Sequence, residues 1–159
     1  MGTHGNTANP EKTDGVVIRN VDILDHHEAQ VDYQGTIAIN AGDSNLMQNI
    51  LIDDVRVENF RRGQLVNMRV MYNDKYNTSP GRGIRNVTFA NLDYKGDHAA
   101  MAIIVGYDEE RAIEGVKFKN LRINGKAIND KMQKPGWYKT SDYVPMFVGS
   151  HVKNITFDP

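Results

Sequence analysis

The sequence predicts an all-β chain that repeats one structural unit, and three observations lead to this prediction. One phrase recurs with the pattern apolar, any, apolar, any, Asn or Asp, apolar, any, apolar, and a typical copy runs from Val116 to Ile123. A second set of apolar runs lies between the copies, and no stretch has sustained helical periodicity. Two strands and a bend in each copy, with a third strand between copies, predict a parallel β-helix of about four coils and three strands per coil.

Each copy of the phrase is predicted to form two short strands joined by a sharp bend. Apolar residues alternate with period two in each half, which is typical of a strand with one buried face. Asn and Asp tolerate the left-handed conformation that such a bend requires. Copies begin at positions 16, 50, 87 and 116, and a shortened copy at 155 ends the sequence, so we expect insertions in loops. The predicted bend residues are Asn20, Asp54, Asn91 and Asn120.

The third strand of each coil is predicted in the apolar runs 36–41, 64–72, 100–107 and 144–148. Residues 1–14 are predicted to form a loop, and residues 73–83 an exposed loop, because both are rich in turn-forming residues. The longest insertion, 128–143, contains the only Trp of the chain. All 159 residues are expected to form a single domain.

Composition excludes several classes of function. The formal net charge is −1, which gives no overall field to attract nucleic acid or an anionic membrane. The absence of Cys excludes disulfides and thiolate metal sites. No run of eighteen apolar residues occurs, so we expect no membrane span. The glycine-rich start, residues 1–5, lacks the Lys-Ser or Lys-Thr of a phosphate-binding loop, and no cofactor is expected.

Five phrases of the sequence are typical of one known family: GTHGNTANPE (2–11), NILIDDVRVENF (49–60), YNTSPGRGIRNV (76–87), GYDEERAIEGVKFKNLRINGK (106–126) and KPGWYKTSDYVPMFVGSHVKNITF (134–157). They resemble the C-terminal coils of polygalacturonase-like and dextranase-like glycoside hydrolases, which belong to the pectin-lyase-like superfamily. The resemblance covers essentially the whole chain and implies a right-handed parallel β-helix that acts on polysaccharide. It also implies a secreted or periplasmic parent protein, and the polar start of this chain is not expected to be an export signal.

The resemblance also implies where the family's catalytic residues lie. Residues 2–5, Gly-Thr-His-Gly, are similar to the family's Gly-His-Gly turn with one residue inserted, so His4 is the residue that carries over. The family's catalytic aspartates precede that turn, and its N-terminal cap precedes them, so we expect both to be missing here. The family's carboxylate-binding Arg and Lys correspond to Ile37 to Ile39, and a preference for uronic acids is therefore not expected.

Three aspartates are the candidates for catalysis by this chain itself. Asp43, Asp74 and Asp108 each follow one of the predicted third strands, so their loops should lie on one side of the coil stack. Neighbouring strands lie about 4.8 Å apart, and glycosidases hold two carboxyl groups about 5 to 9.5 Å apart. The alternative is ordinary turn chemistry, because Asp is common immediately after strands.

Other polar and aromatic residues are candidates for sugar binding. Asn40, Asn67 and Arg69 lie on the third strands and would line a groove if they point outward; the alternative is an internal ladder or a surface charge. Trp137 and Tyr138 offer flat faces for stacking on sugar rings, or they cover an open flank of the coil stack.

Residues 25–28, Asp-His-His-Glu, invite a metal interpretation because imidazole and carboxylate groups are common metal ligands. Adjacent residues of an extended chain point to opposite faces, so a polar loop or groove wall is the better interpretation and no metal site is expected.

The resemblance therefore implies the C-terminal part of a glycoside-hydrolase-like protein, with a polysaccharide- or oligosaccharide-binding groove, and we expect it to lack the catalytic carboxylates. The alternative is a non-catalytic carbohydrate-binding or structural module that works as an oligomer. Open coil ends expose strand edges, which repeat proteins cover. We therefore expect a homo-oligomer in which a second copy covers these edges.

Overall fold

A computed structural model describes residues 1–27, 35–59, 64–97, 102–129 and 147–159, and within these ranges the chain is all-β with mainly parallel sheets. Trp137 and Tyr138, together with nearly all of the insertion 128–143, lie outside the described residues. None of the described segments forms a helix with the length and apolar character needed to span a lipid bilayer.

The described residues form two sheets, and the larger of them, the long sheet, has eight strands. These strands are β1 (Lys12–Asp14), β2 (Val17–Ile23), β4 (Leu46–Val57), β6 (Gly83–Tyr94), β8 (Ile113–Lys119), β9 (Leu121–Ile123), β10 (Lys126–Ile128) and β12 (Val152–Asp158). β4 lies next to β6, β6 next to β8 and β9, and β8 next to β12, while β1 and β2 pair with successive parts of β4. All these pairings are parallel; β10 pairs antiparallel with β9.

The short sheet has four parallel strands in the order β3, β5, β7, β11. Along the sequence these strands alternate with those of the long sheet, so each segment leaves one sheet, enters the other and returns beside its predecessor. The strands are β3 (Ile37–Ala41), β5 (Val66–Val70), β7 (Ile103–Val105) and β11 (Phe147–Val148).

One apolar core joins the inner faces of both sheets, because alternate residues of every repeat point to it. Equivalent positions of successive strands stack in columns. In one column the register is Ile18, Ile52, Phe89, Phe118 and Phe157. The rings of Phe89 and Phe118 are stacked with centroids 4.7 Å apart, and those of Phe118 and Phe157 with centroids 4.9 Å apart. Stacked ring contacts of this kind add to the free energy gained by burial.

Left-handed residues form two columns in the long sheet. The first column contains the four predicted bend residues, each with φ between 52° and 54°: Asn20, Asp54, Asn91 and Asn120. The second column lies five residues earlier in every repeat and was not predicted. Its members are Gly15, Asn49, Asn86, Gly115 and Asn154, all with positive φ. The strand register aligns each column across the sheet, so the first four repeats each bend twice at the same places and the last repeat bends once, at Asn154.

Amide side chains of the bends bond from one repeat to the next. Asn120 Nδ2 donates to Asn91 Oδ1 at 2.9 Å, and Asn86 Nδ2 donates to Asn49 Oδ1 at 3.2 Å. Between Asp54 and Asn20 the side chains are joined through Arg56 and not by an amide-to-amide bond. The Arg56 guanidinium donates to Asp54 Oδ1 at 2.5 Å and to Asn20 Oδ1 at 2.9 Å. The Arg56 to Asp54 contact lies within β4, whereas the other three contacts join neighbouring segments on the exposed side of the long sheet.

Two sequence expectations about loops need correction. Residues 1–14 are not entirely a loop, because Lys12–Asp14 pairs with the start of β4 at Leu46 to Gln48. Residue 128 does not begin the insertion, because Ile128 ends β10, which pairs with β9 through a two-residue turn at Asn124 and Gly125. Asn124 and Gly125 both have positive φ, the conformation that tight hairpin turns require.

Candidate functional site

A cluster of polar groups from three segments of the chain lies around the turn that joins β3 to β4. Asp43 and Ser44 both adopt positive φ in this turn, and Asp43 is 5% exposed. Gly42 precedes them where a side chain has no room, since an added Cβ would lie 2.4 Å from the carbonyl oxygen of Thr3. The turn therefore holds a buried carboxylate against the N-terminal segment.

The carboxylate of Asp43 is surrounded by donors from two other segments. Oδ1 accepts the Thr78 N–H at 2.6 Å. Oδ2 accepts Asn77 Nδ2 at 3.1 Å and the Gly5 N–H at 3.3 Å, and His4 Nδ1 lies 3.3 Å from it. The turn after β3, the loop after β5 and the N-terminal segment thus meet at one side chain.

These contacts determine the ionisation of Asp43. Burial raises the pKa of the carboxyl, but the hydrogen bonds from the Thr78 N–H, Asn77, the Gly5 N–H and His4 lower it by more. The net result is a pKa well below the usual range for Asp. Asp43 is therefore a permanent anion at neutral pH with its oxygens already engaged, which is the wrong state for a general acid.

Asn77 lies in the loop 73–83, which the sequence predicts to be exposed, and its hydrogen bonds hold this loop in place. Its side chain is 4% exposed, and its Nδ2 donates to the carbonyl of Thr3 at 3.1 Å as well as to Asp43. Its backbone N–H donates to the carbonyl of Asn73 at 2.7 Å, and its Oδ1 accepts the Asn73 N–H at 3.3 Å. The segment 73–77 is closed on itself and then attached to the Asp43 turn.

A group of hydroxyls borders Asp43 on its exposed side. Thr7 Oγ1 lies 2.5 Å from Thr78 Oγ1 and 2.9 Å from Ser79 Oγ, and Ser79 Oγ lies 2.8 Å from Ser44 Oγ. His4, whose side chain is 61% exposed, lies beside them. His4 and Thr78 are the exposed side chains among the residues that contact the Asp43 carboxylate.

The predicted groove residues Asn40, Asn67 and Arg69 are brought together on the face of the short sheet opposite the core. Asn40 is paired with Arg69 in the strand register, and its Oδ1 accepts the Arg69 N–H at 3.1 Å. Asn67 is fully buried; its Oδ1 accepts Arg69 Nε at 3.1 Å and its Nδ2 donates to Gln64 at 2.7 Å. Asn67 therefore orients Arg69, and Arg69 is the partly exposed member of the three.

Exposed tyrosines follow two neighbouring strands of this sheet. Tyr72 is 43% exposed two residues after β5, and Tyr107 is 41% exposed two residues after β7. Tyr76 is 55% exposed in the loop after β5. Cations lie over two of the rings, with Lys75 Nζ 4.9 Å from the centroid of Tyr76 and the Arg111 guanidinium 5.8 Å from that of Tyr107.

The three candidate catalytic aspartates differ in burial and in their hydrogen-bond partners. Asp43 is buried in the cluster described above, whereas Asp74 is exposed in the loop after β5. Asp108 accepts the N–H groups of Arg111 at 2.7 Å and Glu110 at 3.1 Å. These bonds, led by the Arg111 N–H, hold the pKa of Asp108 below its usual value. Asp43 and Asp108 stabilise separate turns, and no described contact joins any two of the three.

Within the ranges that the structure describes, no group of three or more His, Asp or Glu side chains is arranged to hold a metal ion. Residues 25–27 are among those described, whereas Glu28 is not. Comparison with protein-family models, with curated proteins and with solved structures found no match to this chain.

Sequence reasoning misses Asn77, Thr78 and Gly5, which supply most of the donors to Asp43. The available signal is the pair of asparagines four residues apart, Asn73 and Asn77, inside a loop otherwise composed of turn formers. Such a pair predicts a closed turn, but it does not indicate that the turn meets residues more than 30 positions away.

Proposed function

We propose that the chain is part of a polysaccharide-binding protein of the glycoside-hydrolase-like kind, and that its binding face is the outer side of the short sheet with the loops that follow β5 and β7. Binding occurs here without cleavage by the chain itself. The observation that carries the proposal is the set of exposed tyrosines in the segments that follow β5 and β7, Tyr72, Tyr76 and Tyr107, together with the partly exposed Arg69 on β5.

The proposal includes a right-handed parallel β-helix as the architecture. Its support is the alternation of strands between two parallel sheets, with each segment returning beside its predecessor. Crossover connections between parallel strands of one sheet are right-handed in about 98% of cases. In such a stack the loops after the short-sheet strands lie side by side and form a continuous surface.

The chemistry of this surface suits sugar rings. Tyrosine has an apolar face that covers the C–H groups of a sugar and a hydroxyl that bonds to its polar edge. Tyr72 and Tyr107 each stand two residues beyond the end of adjacent parallel strands, so both lie at the same end of the short sheet. Arg69 and the exposed His4 add hydrogen-bond donors near the same strand ends.

The state of the carboxylates supports binding without hydrolysis. Glycosidases need one carboxyl group with a raised pKa to protonate the leaving oxygen. Asp43 and Asp108 have lowered pKa values and accept bonds from the backbone of their own turns or of neighbouring loops. Their contribution is to hold the loops that present the tyrosines.

Affinity electrophoresis in gels containing soluble pectic, dextran and related glycans tests the proposal. We expect at least one polysaccharide to retard the wild-type protein and no new reducing ends to appear after incubation. Tyr72→Ala and Tyr107→Ala should each weaken binding about three- to tenfold, since an aromatic contact contributes on the order of 1 kcal/mol. Thr88→Ala, on the outer side of the long sheet, is the matched control and should bind as wild type.

Two outcomes would overturn this function. One is the absence of retardation by every glycan in a properly folded protein. The other is glycan cleavage that disappears in Asp43→Asn or Asp74→Asn, which would make the chain an enzyme.

A further inference from the structure

The outer edge of β2 is open in the described structure. β2 pairs with β4 on one side, and no described strand pairs with it on the other. Three apolar side chains are exposed here: Val17 at 56%, Ile18 at 36% and Leu24 at 67%. At the other end of the same column Phe157 is 3% exposed. Among the described residues of this column, the member on β2, Ile18, is therefore far more exposed than the member on β12, Phe157.

The hydrogen bonds to β4 define which backbone groups of β2 face the open edge. The carbonyls of Val16 and Ile23 accept the N–H groups of Leu51 and Glu58, each at 2.9 Å. Backbone groups alternate in direction along a strand, so alternate residues serve opposite edges. The residues whose N–H and C=O groups face outward are therefore Val17 and Arg19 before the bend at Asn20, and Asp22 and Leu24 after it.

Side chains of β2 obey the same alternation. Ile18 lies in the core column described above, and Val16, Val21 and Ile23 pack against the core. Val17, Arg19, Asp22 and Leu24 point away from it. A strand that pairs with this edge must place apolar residues beside the inward residues of β2. Its backbone N–H and C=O groups must also alternate, so that they bond to the outward backbone groups of β2.

We propose that the occupant of this edge is β2 of a second copy of the chain, paired antiparallel about a two-fold axis at the Asn20 bend. The register places Val17 opposite Leu24 of the second copy, Ile18 opposite Ile23, and Arg19 opposite Asp22. The backbone N–H and C=O groups of Val17 then bond to those of Leu24 in the second copy. The backbone groups of Arg19 bond in the same way to those of Asp22. In this register the inward residues Ile18 and Ile23 of the two copies lie opposite each other, and Val21 lies opposite the bend residue Asn20.

Charge selects this register over its neighbours. Arg19 lies 3.5 Å from Asp53, and Asp22 is paired with Arg56, and both side chains remain more than half exposed. Across the two-fold axis the charges then alternate in sign. Asp53 and Arg19 of one copy come first, and Asp22 and Arg56 of the second copy follow. A shift by two residues that preserves the inward matching places Val17 opposite Asp22, or Arg19 opposite Leu24. Such a shift sets a charge against an apolar side chain.

The resulting assembly is a closed dimer. The same surface is used by both copies, so association stops at two and does not form a filament. Pairing also removes the open strand edge, which is otherwise available for uncontrolled association. This inference stands on the β2 edge and is independent of glycan binding.

Cysteine cross-linking of the full chain tests the pairing, because the sequence contains no Cys. Hydrogen-bonded antiparallel pairs have Cα atoms about 5.5 Å apart, within the range that a disulfide bridges. We expect light scattering to give a dimer for the wild type, and oxidation of the Val17→Cys, Leu24→Cys double variant to give a covalent dimer and no larger species. A monomer at micromolar concentration, or no cross-link, would overturn the proposal.

A matched control distinguishes the opposite arrangement, in which β12 of one copy extends the sheet beside β2 of the next. That arrangement continues the internal register and brings Lys153 opposite Asp14 of the next copy. The Asp14→Cys, Lys153→Cys variant should therefore remain free of intermolecular cross-links. A ladder of covalent multimers from this variant would replace the two-fold dimer with a head-to-tail filament.

Charge exchange gives a second readout that does not depend on disulfide geometry. Arg19→Asp should raise the dimer dissociation constant at least tenfold, because it opposes Asp22 of the second copy. Adding Asp22→Arg should recover most of that loss. Circular dichroism checks that both variants fold. Equal weakening in the single and double variants would contradict the Arg19 to Asp22 pairing.

Discussion

The N–H of Thr78 donates to Oδ1 of Asp43 at 2.6 Å, although 35 residues separate them in the sequence. This bond joins the turn after β3 to the loop after β5, and Gly5 adds the N-terminal segment to the same carboxylate. The two loops belong to neighbouring strands of the short sheet. One buried anion thus fixes the relative positions of loops on the proposed binding face.

Replacing Asp43 by Ala should destabilise the fold by about 2 to 4 kcal/mol, because buried donors lose a charged acceptor and Ala is strained at positive φ. Asp43→Asn should cost less, since Asn accepts one bond and tolerates this φ. Urea unfolding at pH 7 measures both. Asp74→Ala, exposed in the adjacent loop, is the control and should change the free energy of unfolding by less than about 0.5 kcal/mol. An equal loss for Asp43→Ala and Asp74→Ala would contradict the role of the Asp43 carboxylate.

Lowering the pH should reduce the free energy of unfolding that wild type gains over the Asp43→Asn variant. The folded-state pKa of Asp43 lies below the ordinary value of 3.8, so its contribution is fully present above about pH 5 and declines as pH falls through 3.8 towards the folded-state value. We expect the difference in unfolding free energy between wild type and Asp43→Asn to narrow from pH 6 to pH 3. Carboxylates common to both proteins cancel in this comparison. A difference that stays constant or widens over this range would argue against the lowered pKa.

The central ring of the phenylalanine stack should be critical for stability. Phe118 is fully buried between Phe89 and Phe157, so Phe118→Ala loses both ring contacts and leaves a cavity that costs about 3 to 5 kcal/mol. Phe118→Leu retains much of the volume and should cost less than half as much. Thermal and urea unfolding of the two variants provide the comparison. A loss below 1 kcal/mol for Phe118→Ala would mean that the stack does not hold the repeats together.

Glycine should replace a bend asparagine better than alanine does. Asn91 has φ 52°, accepts Asn120 Nδ2 at 2.9 Å and donates to Asp53 at 3.0 Å. Both variants lose these bonds, but only Asn91→Ala also destabilises the folded state by the strain of a left-handed residue, about 1 to 2 kcal/mol. Urea unfolding should therefore rank stability as wild type, then Asn91→Gly, then Asn91→Ala. The reverse order of the two variants would contradict a strained bend.

The bends could be predicted from sequence because their cause is local. Asn20, Asp54, Asn91 and Asn120 stand between two period-two segments, and each has the left-handed conformation that this position implies. The second column has an equally local signal: Gly or Asn stands five residues before each bend position. It was not predicted because these residues stand one position before each copy begins, outside the phrase that was compared between copies.

The Asp43 cluster could not be predicted because its cause is not local. Its donors come from Gly5 and Thr78, which are 38 and 35 residues away along the chain. The spacing between copies varies, so the pattern does not define which loop residues become neighbours. The burial of Asn67 was equally hidden, since alternation places it on the outer face without indicating that Arg69 and Gln64 bond to it.

The stacking of repeats in one register is the claim on which the fold and the binding face depend. Thr88 and Lys117, 29 residues apart in the sequence, are directly paired on the outer face of the long sheet. Parallel neighbours lie about 4.8 Å apart, so oxidation of the Thr88→Cys, Lys117→Cys variant should give an intramolecular disulfide. The Thr88→Cys, Lys119→Cys variant places the pair beyond about 7 Å and should remain reduced. Cross-linking of the second pair in preference to the first would contradict the register and the account built on it.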